Sequence, residues 1–92
     1  MRVQLDPDVK VQVTELPPGP KAAVRKALAI LDAHDGDRPP ALDVKRLGRE
    51  GIPTFRIRVG TYRIVYARFA QAHRVLKVFH RSEGYGWLER LG

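Results

Sequence analysis

The stretch from Phe55 to Tyr66, FRIRVGTYRIVY, constrains this chain more than any other. On either side of Gly60-Thr61, apolar and basic residues alternate with the period of two that marks a strand, a tight turn and a second strand. A two-residue type II′ turn wants glycine at its first central position, and Gly60 supplies it. That turn fixes the pairing: Val59 faces Tyr62, Arg58 faces Arg63, Ile57 faces Ile64 and Arg56 faces Val65. One face of the hairpin then carries Phe55, Ile57, Val59, Tyr62, Ile64 and Tyr66, which suits packing against helices. The other face carries Arg56, Arg58 and Arg63. Arg58 and Arg63 become cross-strand neighbours, and like charges about 5 Å apart at Cβ destabilise a sheet by a few tenths to about 1 kcal/mol. Such a face calls for an anion.

The flanking segments supply the other layers. MRVQL reads as a short edge strand. In DPDVKVQVTEL, Asp6 is placed as an N-cap with Pro7 at the first helical position, and Val9, Val13 and Leu16 recur at helical spacing, although VKVQV also alternates as a strand does. PPGPKAAVRKALAILDAHDG is a clearer amphipathic helix, with Ala22, Val24, Ala27, Leu28, Ile30 and Leu31 through its body and Gly36 where it stops. DGDRPPAL is a loop, and LDVKRLGREGIPTF leads into the sheet. RVLKVFHR, from Arg74, is apolar enough for a central strand and delivers His80, Arg81 and Tyr85 in HRSEGY. Its register depends on the loop around AQAH, because a one-residue slip turns every side chain over. A four-residue loop sets His80 opposite Arg63; a loop one residue different sets Arg81 or Phe79 on that face. Tyr85, Trp87, Leu88 and Leu91 suit a short C-terminal helix.

Composition narrows the function classes. The chain of 92 residues, 43% of them apolar, suits a single domain, residues 1–92, with modest stability. It contains no cysteine, which excludes a disulfide framework and a thiolate metal site. Asp32, Asp35 and Asp37 match no calcium-loop spacing and read as a solvated helix end, with His34 and His73 as surface loop residues. No metal site and no cofactor are expected. The opening MRVQLDPDV lacks the apolar core of a signal peptide, and no apolar run approaches the roughly 18 residues a membrane span needs, so the expectation is a cytoplasmic protein that does not engage membranes. The net charge of +7 is unevenly placed: residues 1–50 hold nine Lys/Arg against eight Asp/Glu, and residues 51–92 hold eight against two. A field concentrated in this way attracts polyanions.

The order strand, helix pair, then FRIRVGTYRIVY and VLKVFHRSEGY resembles the RelE/ParE superfamily of small toxins of type II toxin–antitoxin systems, over nearly the whole chain. The set RxGxYRxxY followed by an apolar strand and HRxxxY carries the resemblance, and VGTYR alone would be weak. The resemblance implies an α+β fold: a small antiparallel sheet with two N-terminal helices on one face, an active groove on the other and a short C-terminal helix. In the RelE branch, which the residues favour, it implies a ribosome-dependent endoribonuclease acting on mRNA, paired with a cognate antitoxin protein. Arg63 matches the central-strand arginine that contacts the scissile phosphate, Arg81 the arginine at the end of the last strand, and Tyr85 the C-terminal tyrosine that orients or deprotonates the attacking hydroxyl. Arg56 and Arg58, with Lys77, are expected to hold the RNA backbone. His80 matches a histidine found in both branches. The chain departs from some ribosome-dependent members in having GIPTF where they place lysines.

The chemistry implied is transesterification without a metal: the ribose 2′-OH attacks the adjacent phosphorus and charge builds on the phosphorane oxygens. Guanidinium groups suit that charge, because each presents a rigid donor fork that never deprotonates. His80 and Tyr85 are the candidates for acid and base. Two alternatives share these residues: a ParE-like toxin that inhibits DNA gyrase through protein binding, and a catalytically silent module that binds RNA or only its antitoxin.

Overall fold

The chain is described by a computed structural model over residues 1–48 and 51–89. Its elements run β1 Arg2–Leu5, α1 Pro7–Thr14, α2 Pro18–Ala33, β2 Asp43–Arg46, β3 Thr54–Val59, β4 Tyr62–Phe69, β5 Ala72–His80, a 3-10 turn Arg81–Glu83 and α3 Gly86–Glu89. The strands form one sheet in the order β1-β5-β4-β3-β2. All pairings are antiparallel except β1 with β5, which is parallel. The expected α+β architecture is therefore present, with two additions. Asp43–Arg46, read only as a lead into the sheet, is an edge strand, and the first strand is not antiparallel to its neighbour. Leu91, expected in the C-terminal helix, lies outside the described residues.

Helix periodicity prevails over the strand-like alternation of VKVQV. Pro7 fixes φ at the first helical position, and Val9 and Val13, one turn apart, are buried while Val11 is 53% exposed. Asp6 occupies the N-cap position with extended backbone, yet its side chain does not bond the helix. It accepts instead from Arg74 on β5, with Arg74 Nη2 at 2.7 Å. On α2 the buried stripe is Val24, Ala27, Leu28 and Leu31; Ala22 is exposed and Ile30 only half-buried, so the core-facing stripe is narrower than the apolar content suggests.

Both helices cover one face of the sheet. Val9 and Val13 of α1 and the four α2 residues pack on Phe55, Ile57, Ile64, Tyr66, Val75 and Val78. Val59 and Tyr62 flank this cluster, so the whole apolar face of the β3–β4 hairpin is turned to the helices. Fully burying a side chain of this kind stabilises by about 1.5–3 kcal/mol, and this layer holds the sheet in place while its other face stays open.

A polar tie closes the far end of the core. His73, expected at the surface, is completely buried on β5, with Nε2 at 2.9 Å from Asp37 Oδ1. Tyr66 donates its hydroxyl to the Asp37 carbonyl, and Arg68 Nε lies 3.4 Å from Asp37 Oδ1. Asp37 thus anchors the α2–β2 loop to the sheet, and Asp32 Oδ1 accepts from Val3 N–H at 2.8 Å to hold β1. These roles account for two of the three aspartates without a metal. No helix among the described residues is long and apolar enough to cross a membrane.

Two outcomes follow from this packing. Leu31→Ala, at a fully buried position, is expected to lower the unfolding free energy by about 2–5 kcal/mol in a denaturant titration. The second concerns alkali. Burial first, and then the Asp37 charge, push the Tyr66 phenol well above its usual value. The folded chain therefore keeps this proton more tightly than the unfolded chain, whose tyrosines titrate near pH ~10, and the stability it contributes is whole below that pH and lost as pH rises above it. Denaturant titrations between about pH 8 and 11 should show stability falling more steeply in the parent chain than in Tyr66→Phe, by up to about 1.4 kcal/mol per pH unit.

Candidate active site

The uncovered face of the sheet is organised by register. Gly60 adopts φ +59° and Thr61 does not share a positive φ, as a type II′ turn requires, and the β3–β4 ladder is Val59↔Tyr62, Arg58↔Arg63, Ile57↔Ile64 and Arg56↔Val65. Arg58 and Arg63 are therefore direct cross-strand neighbours. β2 extends the same face: Asp43 pairs with Arg58 and Lys45 with Arg56. On the other side of β4, Phe79 lies opposite Arg63 and Lys77 opposite Val65.

His80 does not join this face. It pairs with Tyr62, on the helix-facing side, and meets that ring edge-on at 5.4 Å. The reason is local. β4 and β5 are joined by only two residues, Ala70 and Gln71, with Ala70 at φ +53°, and a register shift between Val65 and Tyr66 inserts Leu76 as an extra residue on β5. The short loop and the bulge together bring Phe79 to Arg63, where a four-residue loop would have brought His80. The imidazole serves the chain turn instead. Its Nδ1 accepts from Ser82 N–H at 3.2 Å and lies 2.8 Å from Ser82 Oγ, so His80 caps the 3-10 turn that begins with Arg81.

A groove of about 300 Å³ opens on this face. Five cationic side chains line it, Lys45, Arg56, Arg58, Arg63 and Arg81, together with Leu47 and Tyr85, and among the described residues no carboxylate lines it. Arg63 Nη1 donates to the carbonyls of Gly60 and Tyr62, each at 2.9 Å, so the turn holds that guanidinium in place. Arg56 is only 8% exposed, and its Nη1 is buried without a hydrogen-bond partner among the described residues. A buried donor left without a partner costs about 1–3 kcal/mol, more when charged.

Arg81 and Tyr85 reach the groove from the C-terminal segment. Arg81 N–H donates to the Thr61 carbonyl at 2.7 Å, tying the end of β5 to the hairpin turn. Gly84 reverses the chain at φ +67°, where a side chain would be strained. Tyr85 then packs edge-on against Phe79 at 5.4 Å, and Trp87 meets the same ring at 5.6 Å. Phe79, buried opposite Arg63, is the post on which the segment rests. Lys77 is held to one side: its Nζ lies 3.2 Å from Glu83 and 5.1 Å from the Trp87 ring centroid, and it is not among the groove-lining side chains.

The structure thus brings together Arg56, Arg58, Arg63, Arg81 and Tyr85, and leaves out His80 and Lys77. Sequence reasoning missed Lys45 and Leu47. Their signal is weak, since DVKR is four residues long with one apolar member, but the alternation that places Val44 toward the core places Asp43 and Lys45 with the arginines.

No protein-family model matches the chain, and no curated protein matches its sequence. Solved structures do. The archaeal RelE–RelB complex from Pyrococcus horikoshii contains a chain that is 24% identical, with a TM-score of 0.72 over 90% of this chain and 97% of that one. The RelB–RelE antitoxin–toxin complex from Methanococcus jannaschii gives 18% identity and a TM-score of 0.74 over 90% and 95%. These two establish the shared fold. The toxin–antitoxin complex RelBE2 from Mycobacterium tuberculosis reaches 30% identity, with a TM-score of 0.66 over 87% of this chain and 96% of that one. On that likeness, over most of both chains, the chain belongs to the RelE-like toxins of type II toxin–antitoxin systems.

Proposed function

We propose that the groove cleaves mRNA bound at the ribosome, by attack of a ribose 2′-oxygen on the adjacent phosphorus. The observation that carries this reading is the convergence of five cations and one phenol on a groove that no described carboxylate lines. Such a site has little to offer a neutral ligand and much to offer a phosphodiester. The new P–O2′ bond forms as the P–O5′ bond breaks, leaving a 2′,3′-cyclic phosphate and a free 5′-OH. In between, negative charge accumulates on the non-bridging oxygens. Arg63, fixed by the turn carbonyls, and Arg81, fixed through its backbone to Thr61, are the groups that meet this charge. Because the protein holds the Arg63 guanidinium in advance, little reorganisation of that group opposes the reaction.

Arg56, Arg58 and Lys45 hold the flanking phosphates in this reading. Tyr85, 37% exposed and braced by Phe79, orients the 2′-OH and takes its proton as it passes its own phenolic proton to solvent, and solvent protonates the departing 5′-oxygen. His80 serves as the cap that sets Arg81, which replaces its expected role as acid or base. The groove offers charge and few groups suited to reading bases, so the substrate must be presented in an in-line pose by another body. In this reading the ribosome fills that role, and the protein acts in the cytoplasm. The three neighbours are solved with RelB antitoxins, which supports a cognate antitoxin as the protein partner here, with acidic residues opposite the groove.

Controlled expression in bacteria, with primer extension on cellular mRNA, tests the reading. The expected result is a rapid loss of translation with cuts inside codons. Arg63→Ala should lower cleavage by about 10²–10³-fold and abolish toxicity while circular dichroism stays that of the parent chain. Tyr85→Phe, which keeps the ring against Phe79 and removes the hydroxyl, should lower cleavage by about 10²–10⁴-fold. A folded and fully toxic Arg63→Ala variant overturns the site. Filamentation and DNA damage without mRNA cleavage overturns the ribonuclease reading in favour of a gyrase-directed toxin.

A further inference from the structure

One acidic group meets the groove's arginines among the described residues, and it stands at the sheet edge. Asp43 on β2, Arg58 on β3 and Arg63 on β4 are successive cross-strand partners in one row. Asp43 Oδ2 lies 3.7 Å from Arg58 Nε, and Asp43 Oδ1 lies 3.8 Å from Arg56 Nη1. Each carboxylate oxygen thus faces a different guanidinium. Two non-bridging phosphate oxygens set between the same groups would make the same pattern. The separations are longer than the roughly 2.7–2.9 Å of a charge-assisted hydrogen bond. Asp43 therefore attracts both arginines without filling their donors, and Arg56 Nη1 stays open among the described residues. The Asp43 side chain is 56% exposed, so packing does not lock it there.

We infer that Asp43 is a built-in competitor for the phosphate chain. In the empty groove its carboxylate offsets the repulsion among Arg56, Arg58 and Arg63; when a phosphodiester enters, the same charge opposes it and lowers its residence. The inference rests on the reading of the groove as an RNA site, and it adds a determinant of affinity to that site. A groove of five cations with no opposing charge would hold any nucleic acid strand, cut or uncut. A single carboxylate at the rim weakens every such complex by a similar factor, which favours substrates that something else presents and speeds departure of product. Two unit charges several ångströms apart in a half-wet groove shift an equilibrium several-fold.

The test is fluorescence anisotropy with the purified protein and a 2′-O-methylated single-stranded RNA hexamer, which cannot be cleaved, at about 50 mM salt. Asp43→Asn, which keeps the shape and removes the charge, is expected to bind about 3–10-fold more tightly. Asp43→Glu should stay within about twofold of the parent chain, and Asp43→Asn with Arg58→Gln should return close to the parent affinity, because the two charges removed cancel. Circular dichroism of each variant establishes that it is folded. If the parent binds and folded Asp43→Asn binds no more tightly, the Asp43 inference alone falls. If the parent itself does not bind the hexamer, the reading of the groove as an RNA site falls, and the inference with it.

Discussion

The pairing of β3 with β4 decides what every other part of this protein can do. A two-residue turn at Gly60 leaves no freedom in that pairing, so Ile57 and Ile64 must face the same way, and Arg58 and Arg63 must face the opposite way. The helices cover the first face because the apolar surface there has to leave water. The second face is then left open by default, with two arginines side by side at its centre. Had the turn one more residue, one strand would be turned over relative to the other and its arginine side would face the helix layer, where an unpaired charge is costly.

Crowding guanidinium groups in this way is tolerated because the repulsion is divided among several partners. Arg63 gives two donors to carbonyls of its own turn. Arg56 and Arg58 share one carboxylate at distances too long for hydrogen bonding. The exposed Arg58–Asp43 pair contributes about 0–1 kcal/mol, similar to the cost of opposed like charges on a sheet. What is left over is local: Arg56, Arg63 and Arg81 line one groove, with the Arg63 guanidinium held by its own turn. The concentration of positive charge in the groove and the need to offset its repulsion are thus two consequences of one arrangement.

The parts of this arrangement that depend on short-range periodicity are legible in the sequence. Glycine at the turn and alternation on either side are enough to give the hairpin ladder residue by residue, and Pro7 with Val9 and Val13 is enough to place α1. What depends on long-range register is not legible. A four-residue β4–β5 loop sets His80 opposite Arg63, whereas the two-residue loop and the Leu76 bulge move it to the helix side. No local pattern announces that bulge. His73 follows a loop-like AQA and so reads as a surface residue, yet its burial is made possible by Asp37, which is distant in sequence. Lys45 and Leu47 escape notice because β2 is too short to show a period. The family resemblance does carry Arg63, Arg81 and Tyr85 to one site, since it encodes register that the residues alone do not.

If the open face recognises the phosphate chain of a single strand through a defined set of cations, binding must weaken with salt by a defined amount. The measurement is the affinity for a single-stranded RNA as a function of salt concentration. Each phosphate neutralised on a single strand contributes about −0.7 to the slope of log affinity against log salt, so contacts from four or five groove cations require a slope of about −3. Arg56→Gln should reduce that slope by about 0.7, and Arg25→Gln, on the exposed side of α2, should leave it unchanged. Equal effects from the two substitutions, or no effect from Arg56→Gln, would mean that the charge attracting the strand is spread over the whole surface and that the groove has no special part in it.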